Sequence, residues 1–242
     1  MPRWTLPPHP LRPRAVTATV GGVCLAVVGA VATERSLGLP TSAAVTTVVV
    51  TTAILGVGLG RMDPFHPYAT LGPAHLVTTL RAIGAALVVG LCTGPTAPVV
   101  ASAGVVLGAV VGALDGVDGW LARRTRLSSA FGARFDMEVD ALLILALSTM
   151  LWRHGKAGAW VLLAGGLRYA FVAAAAPWSW LRQALFPSWR RKAVCVLQVA
   201  GLSALLLPAV PPEVSAPAAA ALVAMLAWSF GVDVIWLWRH RA

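Results

Sequence analysis

Residues Asp115–Asp140 read DGVDGWLARRTRLSSAFGARFDMEVD and hold five of the nine acidic residues in a chain of 242. Asp115, Asp118, Asp136, Glu138 and Asp140 stand in a sequence that is 58% hydrophobic and 12% charged. That is too apolar for a soluble globular domain, in which about a quarter of residues are charged. Long uncharged runs flank the stretch on both sides, so the expected fold is an all-α polytopic membrane bundle. In that setting an aspartate at the centre of a span costs about 2.5 to 3.5 kcal/mol even on lenient insertion scales. Carboxylates gathered in one segment therefore need a compensating charge or a task.

Their spacing suggests the task. Asp115 and Asp118 are three residues apart and Asp136 and Asp140 four, so each pair projects from one side of its helix. With a short hairpin between the helices, the two pairs face each other in a pocket of four carboxylates. Two divalent cations would balance them and keep them ionised, and hard oxygen donors suit Mg²⁺, Mn²⁺ or Ca²⁺ rather than zinc. Glu138, two residues from either neighbour, points roughly the other way and is expected outside the ligand set. Gly119 and Ala122 follow Asp115 and Asp118 by four residues. They leave a side-chain-free surface that serves either helix packing or close approach of a ligand to the backbone. Arg123 reads as a topogenic charge or as a diphosphate contact.

Working outward, eight spans are expected in one bundle. They run over Ala15–Thr33, Thr41–Gly60, Pro73 to about Thr93, Pro98 to about Leu121, from about Ala130, and over about Ala157–Ala176, Ala193–Leu207 and Ser215–Leu237. The prolines of MPRWTLPPHPLRPR argue against helix before Ala15. Ala30-Val31-Ala32 resembles a signal-peptidase site, but a run of spanning length favours an uncleaved helix. The Val- and Thr-rich second run would suggest strand by propensity, and its uncharged length argues a span instead. Residues 1–72 are expected to form a basic tail, two additional helices and an interfacial linker, and residues 73–242 a six-helix catalytic domain. Thr78 and Arg81 lie one turn apart on one face near the start of the third span.

The net charge of +10 does not point to nucleic acid, because the basic residues cluster at the ends of apolar runs. With the amino terminus inside, 14 of the 19 basic residues fall on cytoplasmic ends, three outside, and Arg81 and Arg168 within spans. The expected setting is a bacterial plasma membrane with the aspartates and both termini facing the cytoplasm. The ten tryptophans, mostly near span ends, read as interfacial anchors. Cys24, Cys92 and Cys195 read as small apolar-segment residues without metal-ligand spacing.

Asp115-x-x-Asp118-Gly119-x-x-Ala122-Arg123, eight residues, then Gly132-x-x-x-Asp136-x-x-x-Asp140 reproduces in full the signature D-x-x-D-G-x-x-A-R-x(8)-G-x-x-x-D-x-x-x-D of the CDP-alcohol phosphotransferases. The chain resembles that family from about Pro73 to its end. PAHLVTTLR, Pro73–Arg81, is similar to the family's P-A-N-L-x-T-x-x-R opening, with His75 in place of Asn. KAVCVLQ, Lys192–Gln198, is similar to K-x-x-T-x-x-Q, with Cys195 in place of Thr. The resemblance implies six core helices, two divalent cations (Mg²⁺ or Mn²⁺) and transfer of a phosphatidyl group. The donor would be a CDP-linked lipid such as CDP-diacylglycerol and the acceptor a small alcohol or alcohol phosphate, with release of CMP. It assigns Asp115, Asp118 and Asp136 as metal ligands and Asp140 as catalytic base and additional ligand. Gly119, Ala122, Arg123, Gly132, Thr78 and Arg81 would face the CDP diphosphate, and Arg168, Arg191 and Lys192 the acceptor. It leaves room for a homodimer. Two competitors predict otherwise: a cation-coupled transporter would move substrate without releasing CMP, and a silent scaffold would have a broken signature.

Overall fold

The computed structural model describes residues 5–63, 66–68, 70–125, 127, 129–183, 185–186 and 188–241, with backbone alone for Ala122 and Arg123. The expectations placed on Arg3 and Arg126 lie outside the described residues. Among those described there are eight α-helices and no strand: α1 Leu11–Leu37, α2 Thr41–Gly60, α3 Pro73–Leu91, α4 Pro98–Thr125, α5 Ala130–Arg153, α6 Leu163–Ala174, α7 Trp189–Leu205 and α8 Pro212–Arg239. Short 3₁₀ turns, Ala159–Leu162 and Ser179–Arg182, flank α6.

Local signals explain most of the boundaries. Gly38 adopts a left-handed conformation (φ 60°) after α1, and Leu39 N–H returns to Glu34 O at 2.9 Å. This is the αL stop that glycine makes without a Cβ penalty, and Pro40 then leads into α2. Ser129 caps α5, its Oγ accepting from Gly132 N–H at 3.0 Å, which satisfies a donor that the first turn cannot pair. The Val- and Thr-rich second run is helical over the expected Thr41–Gly60, because a helix pairs its own backbone where lipid offers no partners.

One expectation is corrected. Helix α1 begins at Leu11, not Ala15: Pro13 lies in the first turn, where the missing N–H would have been unpaired in any case. The eight expected helices are all present, and among the described residues five of them are long and apolar enough, by length and composition, to cross a membrane: α1, α2, α3, α4 through Leu121, and α8. Helix α5 spends its first three turns on Arg134, Asp136, Glu138 and Asp140, α6 with the 3₁₀ turn before it covers Ala159–Ala174, and α7 has 17 residues.

The helices alternate in direction. At one end gather the starts of α3, α5 and α7 and the ends of α2, α4 and α8. At the other, Arg153 Nη2 donates to Gly94 O at 2.9 Å, and Lys156 Nζ donates to Leu207 O at 2.8 Å and to Val210 O. Helices α3 and α5 form the centre: α3 packs against α1, α2, α4 and α5, and α5 against α3, α4, α6 and α7. Leu143, Leu147 and Leu151 of α5, Val88 of α3 and Leu202 of α7 are wholly buried. Close approach is set by small residues. A Cβ on Gly104 would meet Met150 Sδ at 2.7 Å, one on Gly112 would meet Val199 at 3.0 Å, and Gly84 and Gly108 leave no room for one against Val111 and Ser203. The face of α4 formed by Gly104, Gly108 and Gly112 lets α5 and α7 close on it, and so brings its last turns against their first turns.

Candidate active site

The charged end of the bundle is built from four helices. Asp115 and Asp118 come from the end of α4 and Asp136 and Asp140 from the start of α5. Thr78 and Arg81 come from α3 and Cys195 from α7. Arg81 is fully buried, and its guanidinium lies at the centre of the four carboxylates. Nη1 donates to Asp118 Oδ2 at 2.6 Å and to Asp136 Oδ1, and Nη2 donates to Asp140 Oδ1 and pairs with Asp115 Oδ1 at 3.0 Å. The two terminal nitrogens thus serve all four acids, a reach that the planar five-donor fork of arginine permits and a lysine ammonium does not. Nε is buried without a partner. Thr78 Oγ1 donates to Asp118 Oδ2 at 3.1 Å and Cys195 Sγ to Asp140 Oδ2 at 3.3 Å.

The electrostatics are unbalanced. Four carboxylates, Asp118 buried and the other three partly exposed, face one buried guanidinium, so the cluster carries a formal surplus of negative charge. Asp115, Asp118 and Asp136 each offer a carboxylate oxygen, and these oxygens lie within 4.8 Å of one another. A donor set of hard oxygens with net negative charge fits Mg²⁺ or Mn²⁺. Gly116, beside Asp115, has open space where a side chain would stand.

The other residues named from sequence distribute as follows. Gly119 is partly buried one residue beyond Asp118, and Gly132 sits in the capping turn of α5, one turn ahead of Asp136. Ala122 and Arg123 belong to the last turns of α4, and their side chains lie outside the described residues. Arg168 is not in the aspartate cluster: its Nη2 pairs with Glu138 Oε1 at 2.6 Å on another side of α5. Arg191 pairs with Asp233 at 3.4 Å, and Lys192 is exposed one turn before Cys195. His75 stacks on Phe135 with ring centroids 6.0 Å apart, against a crevice lined by Leu55 and Gly58 of α2. It therefore joins the added helices to the core instead of facing the aspartates.

Sequence reasoning missed three partners. Cys195 read as a small core residue, and only the packing of α7 on α5 brings its thiol to Asp140. Asp233, 5% exposed in α8, pairs with both Arg190 and Arg191; a lone acid in an apolar run was a signal for such a partner. Arg81 read as a diphosphate contact, whereas here it is held by the four aspartates. Its position inside a span was the available clue, since a cation there seeks carboxylates.

The family model described as CDP-alcohol phosphatidyltransferase matches residues 71–233. No curated protein and no solved structure matches the chain. The match spans α3 to α8 nearly whole, including every residue of the aspartate cluster, and leaves α1 and α2 outside it. With the signature complete and its four aspartates brought together at one end of an apolar helical bundle, this chain belongs to the CDP-alcohol phosphatidyltransferase family, membrane transferases that use divalent metal.

Proposed function

We propose that the protein transfers a phosphatidyl group from a CDP-diacylglycerol-type lipid to the hydroxyl of a small acceptor alcohol, releasing CMP on the cytoplasmic face. The observation that carries the reading is the convergence of Asp115, Asp118, Asp136 and Asp140 on one cluster around the buried Arg81, with a formal surplus of negative charge. Asp115, Asp118 and Asp136, with Asp140 as a further oxygen donor, would hold two divalent cations. Bound there, such cations neutralise a diphosphate and polarise the phosphorus under attack. Asp140 acts as base: it takes the acceptor's proton as the new oxygen–phosphorus bond forms and the bond to CMP breaks. One of its oxygens accepts from Cys195 Sγ, which helps to orient a base that must lie within hydrogen-bond reach of the hydroxyl. Gly119, Ala122, Arg123, Gly132 and Thr78 would serve the binding of the CDP moiety.

The acceptor side is read from charge. Arg190 and Arg191 share one acid, Asp233, and Lys192 follows them, so the start of α7 carries an excess of positive charge. Arg168 adds a fourth cation, though balanced by Glu138. An acceptor with its own phosphate fits this end better than a neutral alcohol.

Radiolabelled CMP release from CDP-diacylglycerol is the test, with glycerol 3-phosphate, an inositol phosphate and serine as acceptors in turn. Release is expected with a phosphorylated acceptor, is expected to stop on chelation, and to return with Mg²⁺ or Mn²⁺. Activity that survives exhaustive chelation removes the metal reading, and ion-coupled flux without CMP release replaces the transferase by a transporter. Reporters placed after Arg241 and within residues 124–129 are both expected inside the cell. One appearing outside overturns the assignment of the face.

A further inference from the structure

We infer that Arg81 is a resident counter-ion of the aspartate cluster, which a divalent cation has to displace in order to bind. The inference rests on the metal reading above and adds how the site is loaded. Its basis is the position of the guanidinium. Arg81 does not flank the carboxylates; it stands among them, with Nη1 on Asp118 and Asp136 and Nη2 on Asp115 and Asp140. The oxygens of Asp115, Asp118 and Asp136 that lie close enough together to hold one ion belong to carboxylates those nitrogens already engage. An arginine does not give up its proton inside a protein, so the cluster cannot make way for a cation by neutralising this side chain. Cation and guanidinium repel each other and compete for the same acids, and one excludes the other from the centre.

Two further observations favour exchange over permanent occupancy. The buried Nε has no partner, so the inward pose of Arg81 leaves a polar group unsatisfied and is poorer than its ion pairs alone suggest. The acids do not depend on Arg81 alone for their orientation, because Thr78 also holds Asp118 and Cys195 also holds Asp140. A guanidinium released from the centre has the fork geometry that fits a diphosphate, so the cation and the CDP head group would each ease the binding of the other. By linkage the effect is reciprocal.

The sign of one measurement separates this from a purely structural arginine. If Arg81 only holds the carboxylates in place, shortening or neutralising it lets them splay, and metal affinity falls. If it competes, the apparent affinity is reduced by the fraction of molecules in which it is out of the way, and removing it raises affinity. Full-length protein in detergent, stripped by chelation, is titrated with Mn²⁺ and followed by electron paramagnetic resonance. Wild type is compared with Arg81→Gln and with Arg81→Lys, which keeps a charge for the buried acids and guards against failure to fold. Mn²⁺ is expected to bind Arg81→Gln at least about tenfold more tightly than wild type, with Arg81→Lys between them.

In parallel, wild-type protein is treated with phenylglyoxal at each point of the titration and modification of Arg81 is read by mass spectrometry. Labelling is expected to be low in chelator and to rise along the Mn²⁺ binding curve. Unchanged or weaker Mn²⁺ binding in the variants beside a binding wild type overturns the displacement and leaves the metal reading standing, as does labelling that stays flat while Mn²⁺ binds. No Mn²⁺ binding to any of the proteins overturns both.

Discussion

Two ionic clusters sit at the same end of this bundle with opposite imbalance. Around Arg81, four acids share one cation between α3, α4, α5 and α7; around Asp233, two cations, Arg190 and Arg191, share one acid between α7 and α8. Both are withdrawn from solvent, Arg81 completely and Asp233 at 5% exposure, where a charge is retained only if it is paired. The difference lies in what is left over. Surplus carboxylate among rigid helix turns calls for cations, and surplus guanidinium at the start of α7 calls for an anion. A third pair, Arg168 with Glu138, is balanced and partly exposed and leaves little charge for a ligand. The proposed transfer of a phosphatidyl group from a CDP-linked diphosphate to a phosphorylated alcohol, with loss of CMP, would use both kinds of surplus.

The strongest way to break the comparison is to remove charge from the negative cluster. Asp140→Asn keeps the size and one oxygen but cannot act as a base. It is expected to bind CDP-lipid with metal while single-turnover CMP release falls by about 10² or more. Asp115→Asn should weaken metal and nucleotide binding together, since a ligand charge is lost. Near-normal turnover in Asp140→Asn would remove it as the base.

The positive cluster should respond in stability before chemistry. Asp233→Asn leaves Arg190 and Arg191 without their acid, and breaking a buried pair from one side costs about 3 kcal/mol or more. The expected result is a clearly lower thermal unfolding midpoint in detergent, with Mn²⁺ affinity unchanged. An unaltered midpoint would show that the pairing does not hold α7 to α8.

The smallest effect is expected at the balanced pair. Glu138→Gln breaks a partly exposed ion pair of the kind worth about 0 to 1 kcal/mol and should retain most activity, sharpening the contrast with Asp115→Asn on the same assay. A Glu138→Gln variant as inactive as Asp115→Asn would mean that this side of α5 also serves the reaction.

What the sequence determined by itself was local. Spacings of three and four place Asp115 with Asp118 and Asp136 with Asp140 because helical periodicity depends on nothing beyond the segment. Ser129 as cap, Gly38 as stop and the apolar length of α2 are equally short-range. The family signature was legible for the same reason, since its specified positions fall within two consecutive helices and the turn between them. Tertiary structure decided which distant side chains those helices meet. Arg81 is 37 and 59 residues from Asp118 and Asp140, Cys195 is 55 from Asp140, and Arg190 is 43 from Asp233. Nothing in an almost uniformly apolar helix says which side faces lipid and which faces a neighbour, because the contrast that marks the buried side of a soluble helix is missing. Close packing along the glycines of α4 sets those faces, and with them whether a lone arginine in a span meets lipid head groups, a diphosphate or four aspartates.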